Sequence, residues 1–115
     1  MNVTLNTTAA AIGVSGFGPI VDLAATAEVP DPNNLSVILV VTAVGGGTPS
    51  LTVEVVWSND GATFVSAATA DTFTAITANG NVQKSFTVKA RYTRLKYTVT
   101  GSTPTFTLDA SGYAA

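Results

Sequence analysis

All five cationic side chains, Lys84, Lys89, Arg91, Arg94 and Lys96, fall between residues 84 and 96, and Asp109 is the only acid that follows them. With Tyr92 among them they form one candidate contact segment. On a strand, Arg94 and Lys96 would share a face, with Lys89 and Arg91 near its start. Cations beside Phe86, Tyr92 and Tyr97 are what a single-strand nucleic-acid groove needs, cations for phosphate and rings for stacking. A net charge of −2 and a pI near 4.6 oppose that reading, because long-range attraction to a polyanion needs a net basic field. The segment is therefore expected to be a solvated polar face or a contact for acids, either on a protein partner or on Glu54 and Asp60 of its own chain.

Other chemistry is thinly represented. The chain has no cysteine and no histidine, which removes disulfides, thiolates, imidazole bases and nearly every transition-metal site. Glu28 and Asp31 make the one tight acidic grouping, in a proline-rich loop without the pattern of a glycosidase pair or a calcium loop. Ser58, Asn59, Asp60 and Gly61 supply two or three oxygens where calcium takes six to eight, so they read as a turn. Gly45, Gly46 and Gly47 lead into Pro49 and a strand instead of a helix N-terminus, so they do not form a phosphate cradle. The expectation is a protein that is not an enzyme and holds no metal and no cofactor.

The elements that must position these residues follow a period of two, and no stretch has the period of a helix. Leu35, Val37, Leu39, Val41 and Ala43 are expected on one strand face, and Leu51, Val53, Val55 and Trp57 on the next. Strands are also expected over residues 62–67, 71–77, 82–89 and 94–100, with Asn79 and Gly80 as a tight hairpin turn. The stretch GGGTPSLTVEV at residues 45–55 returns as TGSTPTFTLDA at residues 100–110, an offset of 103 − 48 = 55 between Thr48 and Thr103. Read locally, each copy is a turn joining two strands, so the pattern predicts two similar hairpins.

The chain of 115 residues is one domain: residues 1–34 are an N-terminal arm or edge strands, and residues 35–115 are the body. The fold class expected is all-β, an antiparallel β-sandwich of jelly-roll or immunoglobulin-like type, with a small OB-like barrel as alternative. No secretory leader is read at the start, and the longest apolar run, residues 35–44, is about half a membrane span. Sequons at Asn2, Asn6 and Asn34 are what a threonine-rich chain contains by chance. Only 10% of residues are charged, against about 25% in an ordinary soluble domain, and a surface so poor in charge suits one that is covered in an assembly.

The phrases LSVILVVTAVGGGTPSLTVEVVWSNDGATF and SFTVKARYTRLKYTVTGSTPTFTLDA resemble small all-β virion proteins of tailed bacteriophages, the group that includes head decoration or cement proteins. The similarity covers roughly residues 35 to 110 and rests on the two Gly-x-Thr-Pro turns, the Ser-Asn-Asp-Gly turn and the strand from Arg91 to Tyr97. It implies a capsid decoration protein on the outer shell surface, made in the host bacterial cytoplasm, with the major capsid protein as partner. It implies a monomer or a trimer at three-fold positions, and neither nucleic acid nor membrane as partner. The strand and Ser-Asn-Asp-Gly turn are also similar to part of galactose-binding-like sandwiches, which makes a carbohydrate- or receptor-binding module the alternative. That alternative requires two exposed rings on one surface beside Asn or Asp, with Tyr92 and Tyr113 as candidates and Trp57 expected in the core.

Overall fold

Alternation over residues 35–41 and 51–57 leaves each strand with one apolar face to bury, and the fold does so by doubling a single ribbon over on itself. The computed structural model describes residues 2–6, 10–24 and 32–115. Its two long strands are β5 (Asn34–Ser58) and β8 (Tyr92–Ala114), antiparallel from Leu35 opposite Ala114 to Ser58 opposite Tyr92. Twenty-five residues of straight strand would reach about 80 Å. The longest dimension of the molecule is 43 Å, so the ribbon is bent near its middle.

The bend lies where the two Gly-x-Thr-Pro phrases meet. Gly45 pairs with Thr105 and Gly47 with Ser102, while register shifts leave residues 48–49 and 103–104 out of the ladder. Pro49 and Pro104 thus occupy bulges, where a missing N–H costs no ladder bond. Gly46 and Gly101 have φ of 104° and 119°, and Thr48 and Thr103 follow at 45° and 44°. A Cβ on Gly46 would lie 2.7 Å from the Thr103 carbonyl oxygen, and one on Gly101 would lie 2.9 Å from those of Gly47 and Thr48. The expected hairpins are corrected here: neither phrase reverses its strand, and the two together form one crossing.

Short strands complete each half. β1 (Asn2–Thr4) and β2 (Ala10–Ile12) pair with residues 106–113 of β8, and β7 (Gly80–Thr87) pairs with residues 34–41 of β5. β3 (Gly16–Phe17) and β4 (Val21–Asp22) pair with residues 92–97 of β8, and β6 (Asp71–Thr72) pairs with Glu54 and Val55 of β5. Numbered along the chain as eight segments, with β1–β2, β3–β4 and each half of β5 and β8 counted as one, the layers run 1-8-3-6 and 2-7-4-5. That is the jelly-roll order, which differs from the immunoglobulin order and from the five-stranded OB-like barrel. Hydrogen bonding continues through the crossing, so the two layers are one antiparallel sheet folded over.

The pairing also explains the repeat. Ile12 opposite Phe106 is matched by Ile76 opposite Leu51, and Val21 opposite Thr93 is matched by Gln83 opposite Ile38. The long-strand members differ by 106 − 51 = 55 and 93 − 38 = 55, the offset of the repeated phrase. One four-segment unit therefore occurs twice, related by an approximate two-fold at the crossing.

The inward faces meet in one core that includes Leu35, Val37, Leu39, Leu51, Val53, Val55, Leu95, Phe106 and Leu108, at roughly 1.5–3 kcal/mol per large aliphatic side chain buried. Val3, Leu5, Ile12 and Leu23 are buried in the same core, which makes the described N-terminal strands part of the body. Ala110, Gly112 and Ala114 leave room for them: a Cβ on Gly112 would come 2.7 Å from Val3 and 3.0 Å from Leu5. At the opposite edge, Phe73 meets Phe86 edge-on with centroids 5.5 Å apart. The Tyr97 hydroxyl is buried without a hydrogen-bond partner among the described residues, and burial raises its pKa.

Four expectations change. Ala43 is exposed, because the register shift between Val41 and Ala43 turns the strand over. Residues 62–67 contribute only a bridge from Val65 to Trp57, and the strand expected over residues 71–77 is the two-residue β6 followed by a bridge at Ile76. Asn79 and Gly80 carry the chain from one layer to the other, with Asn79 donating to the Thr42 carbonyl, so they are not a hairpin turn. Of the proline-rich loop read over residues 29–34, residues 29–31 lie outside the described residues, as does Glu28, and Asn34 begins β5.

Replacing Gly46 or Gly101 with Ala is expected to cost at least about 2 kcal/mol each, from positive φ and backbone overlap, whereas Thr48→Asn stays within about 1 kcal/mol of the parent or stabilises it. Denaturant midpoints check this. Tyr97→Phe removes an unpartnered buried hydroxyl and is expected to be neutral or stabilising by up to about 1 kcal/mol in the same assay.

Candidate functional site

The folded chain divides the cationic segment among three places. Lys84, on edge strand β7, donates to the Thr72 carbonyl at 2.7 Å and lies over the Phe86 ring, where it ties the two layers together. Lys89 donates to Asp71 at 2.7 Å and lies 5.4 Å from the centre of the Trp57 ring; Trp57 Nε1 donates to the same carboxylate at 2.9 Å. Trp57 is only 3% exposed, a core residue whose one polar atom is satisfied. Arg91 grips Asp22 with two bonds of 3.0 and 2.9 Å, which holds β4 against β8 and keeps the Asp22 carboxyl below its ordinary pKa. These three cations brace the fold.

Tyr92, Arg94 and Lys96 alternate along β8 and point away from the core. The guanidinium of Arg94 packs against two rings, its carbon 3.9 Å from the centre of Phe17 and 4.2 Å from that of Phe64. Phe17 reaches this place because β3 sets it opposite Lys96. Phe64 comes from the loop that returns to pair Val65 with Trp57. Val56, opposite Arg94 and outward by alternation, is nevertheless buried beneath this cover. Tyr92 is half-buried beside Gly61 and the Arg91 guanidinium. Of the six sequence-level candidates, only Tyr92, Arg94 and Lys96 share this outer face. Phe17, Phe64, Asp22 and Asp71 were not legible as partners, because each is separated from its cation by 18 to 77 positions along the chain.

The outer face of the other layer is different in kind. It presents Asn34, Ser36, Ile38, Val40 and Thr42 from β5, Thr107, Asp109, Ser111 and Tyr113 from β8, and Asn81, Gln83, Ser85 and Thr87 from β7. Asp109 is the only charged side chain among these. Ile38 is 43% exposed and Tyr113 53% exposed, and they flank a groove of about 330 Å³ completed by Asn2, Thr4, Ser36 and Ser111. A larger cleft of about 480 Å³ lies between the 58–68 loop and Lys89, above the edge of Trp57.

That loop is held by Asp60. Its Oδ1 accepts from the Ala62 and Thr63 amides at 2.9 Å and from the Ser58 hydroxyl at 2.8 Å. These bonds, the Thr63 amide first, lower its pKa to about 2. Among the described residues, no group of three or more carboxylates is placed to hold a metal ion, and no helix is long and apolar enough to cross a membrane. Tyr92 and Tyr113 lie on opposite outer faces and Trp57 is buried, so the two-ring surface required for a sugar platform is not assembled from these candidates.

Comparison of the chain with protein-family models, with curated proteins and with solved structures found no match. The likeness to phage virion proteins rests on the sequence phrases alone.

Because the Asp60 pKa is depressed in the folded state, its contribution is present above about pH 4 and is lost as pH falls towards 2. The Ala62 and Thr63 amide resonances are expected to titrate with a midpoint near 2, while the amides of β5 and β8 hold their positions; an amide NMR pH series checks this.

Proposed function

We propose that this chain is a structural virion protein of a tailed phage, a capsid decoration protein that binds the outside of the shell and stabilises contacts between capsid subunits. The observation that carries this reading is the outer face of the 1-8-3-6 layer, with one carboxylate among thirteen outward side chains from three adjacent strands. Covering such a face costs little charge desolvation, and hydroxyls and amides can re-form bonds with the partner. Ile38 and Tyr113 supply the apolar contact that anchors an interface. The folded ribbon supplies stiffness, since both long strands pass through both layers. The partner is the major capsid protein, and binding as a monomer or as a trimer at three-fold positions fits the face equally.

The test is quantitative mass spectrometry of purified mature virions from the source, counting this chain against the major capsid protein. A fixed ratio of one copy per capsid subunit, or one per local three-fold, is expected. A few copies per particle would move the protein to a vertex, neck or tail, and none would return the ligand-binding module to first place. In a shell-binding assay, Ile38→Asp is expected to weaken binding at least about tenfold with the denaturation midpoint little changed.

A further inference from the structure

We propose that Arg94, packed against Phe17 and Phe64, forms with Lys96 a docking site for two carboxylate side chains of an extended acidic segment on a partner protein. The site lies on the 2-7-4-5 layer, opposite the charge-poor face, and does not depend on the shell reading.

The placement of the cations carries the argument. Lys89 and Arg91 are spent on Asp71 and Asp22, and Lys84 on a backbone carbonyl. Arg94 and Lys96 make no ion pair and no hydrogen bond through their side chains among the described residues. Glu54 stands opposite Lys96 in the ladder without closing a bridge to it, so the three leave one net positive charge. Both rings pack against the guanidinium, with its carbon 3.9 and 4.2 Å from their centres, and hold it in place. Its Nε is buried and unpartnered, and its terminal nitrogens make no hydrogen bond, among the described residues. A guanidinium fixed in this way loses little freedom on meeting a carboxylate, which matches its two parallel donors. Phe17, 53% exposed, gives the stem of an incoming side chain an apolar rest.

Spacing narrows the partner. Arg94 and Lys96 are two residues apart on one strand face, about 6.6 Å. Alternate side chains of an extended peptide have the same spacing, so the fitting segment carries acids at positions i and i+2. Nucleic acid is the poorer match, because the chain as a whole carries −2 and repels a polyanion at range.

The test is an NMR titration of the full chain at low ionic strength with a capped pentapeptide carrying glutamate at its second and fourth positions and threonine elsewhere. Saturable shifts confined to Phe17, Phe64, Arg94 and Lys96 are expected. Arg94→Lys keeps the charge but loses the planar fork, and is expected to weaken binding about tenfold. Lys96→Gln, at an exposed side chain with no hydrogen bond or ion pair among the described residues, is expected to weaken it several-fold with the thermal midpoint unchanged. Equal shifts at Lys84 and Lys89, the same response to an all-threonine peptide, unchanged affinity in Arg94→Lys, or tighter binding of oligothymidylate would each overturn the proposal. No virion enters this experiment, so failure of the docking site and failure of the shell reading are distinguishable.

Discussion

Two backbones in contact at Gly46 and Gly101 are the constraint on which the rest of this molecule depends. A Cβ at either position would overlap the carbonyls of the crossing strand, so the approach exists only because both residues lack one. Each copy then carries a threonine at φ near 45°, a strained conformation for a β-branched residue, costing about 1–2 kcal/mol. The strain is kept on both strands because bending there turns the apolar faces of both ribbon halves towards each other. Without the bend, Leu35 to Val41 and Leu51 to Trp57 would belong to one long ribbon with an uncovered apolar face.

Once the ribbon is folded, inward and outward are decided for every other residue. The two outer faces diverge in chemistry because the charges near the start of β8 go to one layer only. The 2-7-4-5 layer carries the stacked Arg94, Lys96 and Glu54, with the Arg91–Asp22 pair at its edge. The 1-8-3-6 layer carries hydroxyls, amides, the single carboxylate of Asp109 and three large side chains, Ile38, Val40 and Tyr113. A small body with two unlike outer faces can contact two neighbours by different physics, one through low-charge burial and one through charge-assisted hydrogen bonds.

The sequence alone determined that the chain is all-β, which residues apart from Ala43 alternate into the core on the long strands, that Trp57 is buried, and that residues 58–61 turn. These follow from period two and from turn chemistry, which act over a few residues. It also showed that one phrase occurs twice with an offset of 55, but assigned each copy to a local hairpin, the simplest local reading of Gly-x-Thr-Pro between two apolar runs.

Only the tertiary structure decided that the two copies meet each other, because a crossing is a contact between residues more than fifty positions apart and leaves no local mark that separates it from a turn. The same limit hid the fate of the cations. Their clustering in residues 84 to 96 was plain, yet alternation, an edge position and distant carboxylates sent Lys84, Lys89 and Arg91 into bracing roles and left Arg94 and Lys96 facing outward. Charge order along a chain is a one-dimensional fact, and which charges remain unpaired is set by what the sheet brings beside them.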